Sequence, residues 1–101
     1  MKFLCVCQFG HSRSVALTRV LHGKGLTAIA VGWASSGDGL AVLSEWADKI
    51  LVLETWFSEK IPLEHRSKIV DFNVGRDRWS NLYNQELLDI LGQMVNEKLG
   101  L

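Results

Sequence analysis

Apolar and polar positions fall along the chain in blocks whose lengths suit strands and helices in turn. Residues 2–7, Lys-Phe-Leu-Cys-Val-Cys, form a short apolar run of β-formers that stops at a polar, glycine-containing turn. From Arg13 the apolar residues Ala16, Leu17, Val20 and Leu21 lie on one side of a helix of about three turns, which Gly23 and Gly25 end. Residues 26–32 are again continuous and apolar, the pattern of a strand covered on both faces. The loop 33–39 is rich in turn formers, and its Ser36 or Asp38 is placed to cap a helix carrying Leu40, Leu43, Trp46 and Ala47. Residues 49–54 predict a third buried strand, and residues 55–60 a short helix or irregular crossover before the break at Pro62. Residues 68–74 alternate less cleanly and predict a fourth strand at a sheet edge, followed by a polar loop over 75–81. From Tyr83 onward Leu87, Leu88, Leu91, Met94, Val95 and Leu99 recur at helical spacing. Strands alternating with helices predict a three-layer α/β fold, one domain over residues 1–101, with a parallel sheet and right-handed crossovers.

Charge and cysteine content narrow the function classes. Lys plus Arg and Asp plus Glu are each 11, so no basic footprint for nucleic acid is expected and any preference for anions must be local. No apolar stretch approaches the roughly 18 residues of a membrane span. The N-terminal apolar run is too short for a signal peptide, and a cytosolic protein without membrane association is expected. The two cysteines, Cys5 and Cys7, stand two apart in one extended segment, too stretched for an unstrained disulfide, which suits a reducing compartment. Cys5 reads as a small buried hydrophobe, with a backdoor thiol for oxidised Cys7 as the alternative.

The candidate chemistry gathers between residues 7 and 14. Cys7 at a strand end and Arg13 in the first helical turn bracket five residues, so a thiol and a guanidinium can face each other across a cradle of backbone N–H groups suited to a tetrahedral oxyanion. Thiols at helix N-termini beside arginine titrate at about 3.5 to 7.5 instead of about 8.5, which supplies the nucleophilic thiolate. Planar Arg13 can hold two phosphate oxygens at once, Ser14 can donate to the Cys7 sulfur, and Gly10 lets the loop turn. This is also where open α/β sheets place their ligands. The alternative, a buried strand cysteine and a solvated helix-start arginine, leaves the polarity of the loop unexplained.

In a parallel sheet the loops after the strands share one edge, so the loop after the fourth strand can approach the first. Asp77 can thus meet Cys7, protonate a leaving oxygen and then activate water; pairing with Arg76 or Arg78 is the alternative. Trp79 is either a wall for an aromatic substrate or a packed anchor of the loop. Ser35 and Ser36 suit turn duty better than ligand contact, and His22 reads as a surface residue near a helix end.

Three pieces spanning nearly the whole chain resemble the low-molecular-weight protein tyrosine phosphatase family, especially its short bacterial and phage-type members. They are Val-Cys-x5-Arg-Ser at 6–14, Glu-Trp-Ala-Asp-Lys-Ile-Leu-Val-Leu-Glu at 45–54, and Asn-Val-Gly-Arg-Asp-Arg-Trp from 73 followed by Gln-Glu-Leu-Leu ending at 88. The resemblance implies a four-stranded parallel sheet of order 2-1-3-4 and a two-step phosphoryl transfer. It makes Cys7 the nucleophile, Arg13 the phosphate clamp, Ser14 the thiolate support and Asp77 the general acid, with Trp79 where an aromatic often follows the acid. The phosphate would lie on Gln8, Phe9, Gly10, His11, Ser12, Arg13 and Ser14. The implied substrate is a phosphorylated protein or small aryl phosphate, with no metal or cofactor.

The loop departs from the usual Cys-x-Gly-Asn-x-Cys-Arg-Ser: Phe9 stands at the Gly position, Gly10 at the Asn position that braces the loop, and Ser12 at the second Cys. Arg78 replaces the common Pro after the acid. Two other functions compete. One is a phosphocarrier resembling a sugar phosphotransferase IIB subunit, against which Arg13 argues; the other is a non-catalytic phosphate-binding module. Arsenate reduction is weaker, because only Cys5 remains to resolve an adduct on Cys7. The sequence leaves the oligomeric state open.

Overall fold

Five of the six residues of the first strand, β1 (Lys2–Cys7), are buried, and a strand covered on both faces belongs in the middle of a sheet. A computed structural model, which describes residues 1–79, 81 and 83–101, places it there. β1 pairs in parallel with β2 (Thr27–Gly32) on one side and β3 (Lys49–Val52) on the other, and β3 pairs in parallel with β4 (Ile69–Asp71). The order is 2-1-3-4, as the family resemblance implied. Val6 lies between Val31 and Val52 in register, and Cys7 lies opposite Gly32.

The connection from β1 to β2 runs through α1 (Arg13–Gly23), and that from β2 back across to β3 through α2 (Gly39–Trp46). Right-handed crossovers running in opposite directions put these two helices on opposite faces of the sheet, which makes the three layers. The C-terminal helix, α3 (Gln85–Leu99), packs against α1 and buries Leu87, Leu91 and Val95. It starts where Asn84 accepts a hydrogen bond from the Leu87 N–H at 3.1 Å, and ends at Gly100 with φ +67°. Among the described residues no helix is long and apolar enough to cross a membrane.

The structure corrects three expectations. The run 26–32 is not covered on both faces: β2 is an edge strand and leaves Ile29 38% exposed. Its small residues Ala28 and Ala30 read as apolar without revealing a missing neighbour. Among the described residues no side chain caps α2, and the turn before it closes instead through the main chain, Gly39 N–H to Ser36 O at 2.9 Å. Thr55–Lys60 is a 3₁₀ helix that buries Phe57 and stops before Pro62, as expected. A second 3₁₀ helix, Leu63–Lys68, follows; its six residues carry no apolar period by which to recognise it. The fourth strand is also shorter than residues 68–74, although Phe72 N–H to Val52 O (2.9 Å) and Val74 N–H to Leu53 O (3.0 Å) carry the ladder onward into the site.

Cys5 is fully buried and free. Burial pushes its thiol up to about 12, with the neighbouring Thr18 hydroxyl pulling it down and Cys7 adding a smaller upward contribution. A folded-state value above the unfolded one means that the native chain keeps a proton the unfolded chain has lost. That contribution is complete below the unfolded value of 9.0 and is lost as pH rises toward about 12. Denaturant titrations should therefore show wild type losing stability relative to Cys5→Val across this window; parallel profiles would overturn the expectation.

Candidate active site

The carboxyl ends of β1, β3 and β4 deliver their loops to one edge of the sheet, and main-chain hydrogen bonds continue past the strands to hold them there. Trp33 N–H donates to Cys7 O (3.0 Å), Ala34 N–H to Gln8 O (2.9 Å) and Leu53 N–H to Val6 O (3.0 Å). The turn between β1 and α1 thus starts from a fixed backbone. Its Gly10 has φ +73°, a left-handed conformation in which side chains are strained.

Gly10 and Gly32 also meet. A Cβ on Gly32 would stand 2.2 Å from the carbonyl carbon of Phe9, and one on Gly10 would stand 2.7 Å from the Gly32 nitrogen. The turn therefore lies directly on the end of β2, and Ser35 Oγ adds a hydrogen bond to Phe9 O at 3.3 Å. In the resembling family an Asn side chain braces this loop; here the brace is backbone against backbone.

The cradle surrounds the Cys7 sulfur. Gly10 N–H donates to Sγ at 3.2 Å, and Ser14 Oγ lies 2.9 Å from it on the first turn of α1. Ser12 occupies the N-cap of α1 but makes no side-chain cap, which leaves the N–H groups of the first turn to an incoming anion. Its hydroxyl donates instead to Asp77 Oδ2 at 2.5 Å, while Asp77 Oδ1 accepts from the Trp79 N–H at 3.1 Å. Cys7, Arg13 and Asp77 all line one hollow of about 220 Å³, together with Gln8, Phe9, His11 and Ser12.

Arg13 is 4% exposed and rigidly held. Its Nη1 donates to Glu54 Oε2 and to Gly75 O, each at 2.7 Å, and its guanidinium lies 5.6 Å from the centre of the Phe57 ring. The second oxygen of Glu54 accepts from the Trp56 indole N–H at 3.1 Å. One side of the guanidinium is thereby occupied, while Nε is buried without a hydrogen-bond partner among the described residues. A buried donor left unpaired is costly, so the free side of this fork is a place for an acceptor.

Other predicted residues are placed differently. Trp79 is only 4% exposed, lies under the Arg78 guanidinium at 4.0 Å, and lines neither hollow of the site. Arg78 turns away from Asp77 to Glu86, at 3.6 Å. The exposed aromatic side chains at the site are Phe9 and Trp56. His22 lies outside it, with Nε2 2.9 Å from Ala28 O. Sequence reasoning missed Glu54, Trp56, Gly32 and Gly75. Glu54 alone carried a local signal, a carboxylate directly after a buried strand at the edge where ligands bind.

No family model matches the chain, and no curated protein matches it. Solved structures do. Wzb of Vibrio vulnificus, in complex with benzylphosphonate, superposes with a TM-score of 0.71 at 21% identity, over 98% of this chain and 94% of that one. The tyrosine phosphatase AmsI of Erwinia amylovora gives 0.68 at 14% identity, over 98% and 91%. The tyrosine phosphatase Wzb of Escherichia coli K30, in complex with sulphate, gives 0.64 at 19%, over 95% and 94%. From end to end, this chain has the fold of the low-molecular-weight tyrosine phosphatases.

Proposed function

We propose that this protein is a cysteine-dependent phosphatase that hydrolyses phosphotyrosine-like monoesters through a phosphocysteine intermediate. The observation that carries the reading is the pairing of a cradled Cys7 sulfur with an Arg13 whose one side is fixed by Glu54 and Gly75 and whose buried Nε has no acceptor among the described residues. A phosphate on the loop N–H groups would complete Arg13 and stand against the sulfur. Benzylphosphonate and sulphate, bound by the two Wzb structures, are tetrahedral oxyanions of that kind.

In the first step Cys7 Sγ attacks phosphorus, the bond to the aryl oxygen breaks, and protonated Asp77 gives its proton to that oxygen. In the second, water attacks phosphorus, the sulfur–phosphorus bond breaks, and the Asp77 carboxylate takes the proton from the water. Ser14, 2.9 Å from the sulfur, hydrogen-bonds the thiolate when it attacks and when it leaves. Arg13 and the loop N–H groups hold the equatorial oxygens throughout. Arg13 separates this reading from a carrier, which must pass its phosphate on and gains nothing from a clamp. A thiol nucleophile also favours a reducing compartment such as the cytosol.

The test is hydrolysis of aryl phosphates of increasing leaving-group pKa by wild type and Asp77→Asn, with vanadate as inhibitor. Vanadate-sensitive turnover is expected. The loss in Asp77→Asn should grow with leaving-group basicity, reaching about 10²-fold or more for the poorest leaving groups. An equal loss for all substrates would remove Asp77 as the acid, and bound vanadate without turnover would make the protein a binding module.

A further inference from the structure

The phosphoryl chemistry leaves a second hollow unused. It measures about 500 Å³, opens beside the cradle with Gln8, Arg13 and Asp77 in common, and is completed by Glu54, Trp56 and Arg76. The charges in its lining are unequally engaged. Arg13 and Glu54 hold each other at 2.7 Å, and Asp77 accepts from Ser12 and the Trp79 N–H. Arg76 is exposed and forms no ion pair among the described residues.

Trp56, on the same hollow, is 45% exposed yet fixed in orientation. Its indole N–H is bonded to Glu54, and its ring packs edge-on against Trp33 (5.4 Å) and Phe57 (4.9 Å). A second cation lies behind this wall, with Lys60 Nζ 4.5 Å from the centre of the Trp33 ring and 5.8 Å from that of Trp56. A rigid exposed indole and an unengaged guanidinium beside a phosphate cradle suit a flat group next to a negative charge.

We propose that this hollow is a specificity subsite for a carboxylate adjacent to the phosphorylated ring, as in a phosphotyrosine flanked by Glu or Asp, with Arg76 pairing the carboxylate and Trp56 supporting the chain beside it. The inference rests on the phosphatase reading and adds the class of substrate. Because Arg76 is exposed, its pair with a carboxylate is worth a modest factor, about three- to fivefold in kcat/KM at low ionic strength, and it weakens with salt.

Two phosphotyrosine peptides that differ only in Glu or Gln at the flanking positions test it, compared as a ratio of kcat/KM so that any general defect cancels. Wild type should prefer the Glu peptide about three- to fivefold, with the ratio falling toward one in high salt. Arg76→Ala should bring the ratio to about one and Arg76→Glu should invert it, whereas Trp56→Ala should lower both values and keep the ratio. A wild-type ratio of one, or a preference that survives Arg76→Glu, overturns the subsite and leaves the phosphatase standing. Binding of the same peptides to Cys7→Ser separates the two readings from the other direction. If wild type hydrolyses neither peptide but Cys7→Ser binds the Glu peptide more tightly in an Arg76-dependent way, the subsite stands and the phosphatase falls. If neither peptide binds, the subsite falls, and aryl phosphate hydrolysis decides the phosphatase.

Discussion

Cys7→Ser should abolish turnover and leave oxyanion binding in place. The sulfur lies in the cradle with Gly10 N–H at 3.2 Å and Ser14 Oγ at 2.9 Å as its hydrogen-bond partners. Neither is a base. A serine at position 7 would need a proton acceptor to become nucleophilic, whereas a thiol reaches its reactive form through surrounding donors and positive potential. The expected loss is at least about 10⁴-fold in kcat. Arg13 and its partners Glu54 and Gly75 are untouched by the change, so phosphate should still protect the variant against thermal unfolding, by an amount that rises with its concentration. Turnover within about tenfold of wild type would refute the assignment of the nucleophile.

The second large effect is expected at a residue that touches no substrate. In Gly32→Ala the new methyl group would lie 2.2 Å from the carbonyl carbon and 2.6 Å from the Cα of Phe9, backbone atoms that cannot rotate away. Either the turn lifts off β2 or the strand end shifts, and both displace Gly10, whose N–H faces the sulfur. Stability should fall by about 1–3 kcal/mol, as in other overpacked sites, and turnover by about 10²-fold, since misplacing the reacting groups by an ångström costs about that much. Gly92→Ala is the control. No atom of the described residues lies within 4 Å of a Cβ there, in the interior of α3, and alanine should stabilise the helix by up to about 1 kcal/mol. Normal turnover and stability in Gly32→Ala would show that the contact does not shape the cradle.

These two predictions also mark what the sequence could and could not show. The strand, turn and helix around Cys7 were legible because each depends on neighbours in the chain: an apolar run, a glycine turn, a helical period starting at Arg13. The role of Gly32 was not, because its ordinary backbone gives no local sign and only the pairing of β1 with β2 puts it under Phe9. Glu54 falls at the end of a predicted strand, and its partnership with Arg13 appears only when β3 lies beside β1. The tryptophans make the same point. Trp79 and Trp56 both lie beyond the carboxyl end of a strand, yet one is 4% and the other 45% exposed, a difference set by what packs over them and by no pattern in their own segments. The second 3₁₀ helix was invisible for a simpler reason, since a six-residue polar segment has too few turns to establish a period.

The backbone-to-backbone seat of the cradle bears on how such a loop changes over generations. A loop braced by a particular side chain is tied to that residue, and losing it loses the shape. Here the shape is stored in two glycines and in main-chain hydrogen bonds from Trp33 and Ala34, which any residues with ordinary backbones can make. Such a seat places no demand on the side chain at position 9, and it accommodates the phenylalanine found there.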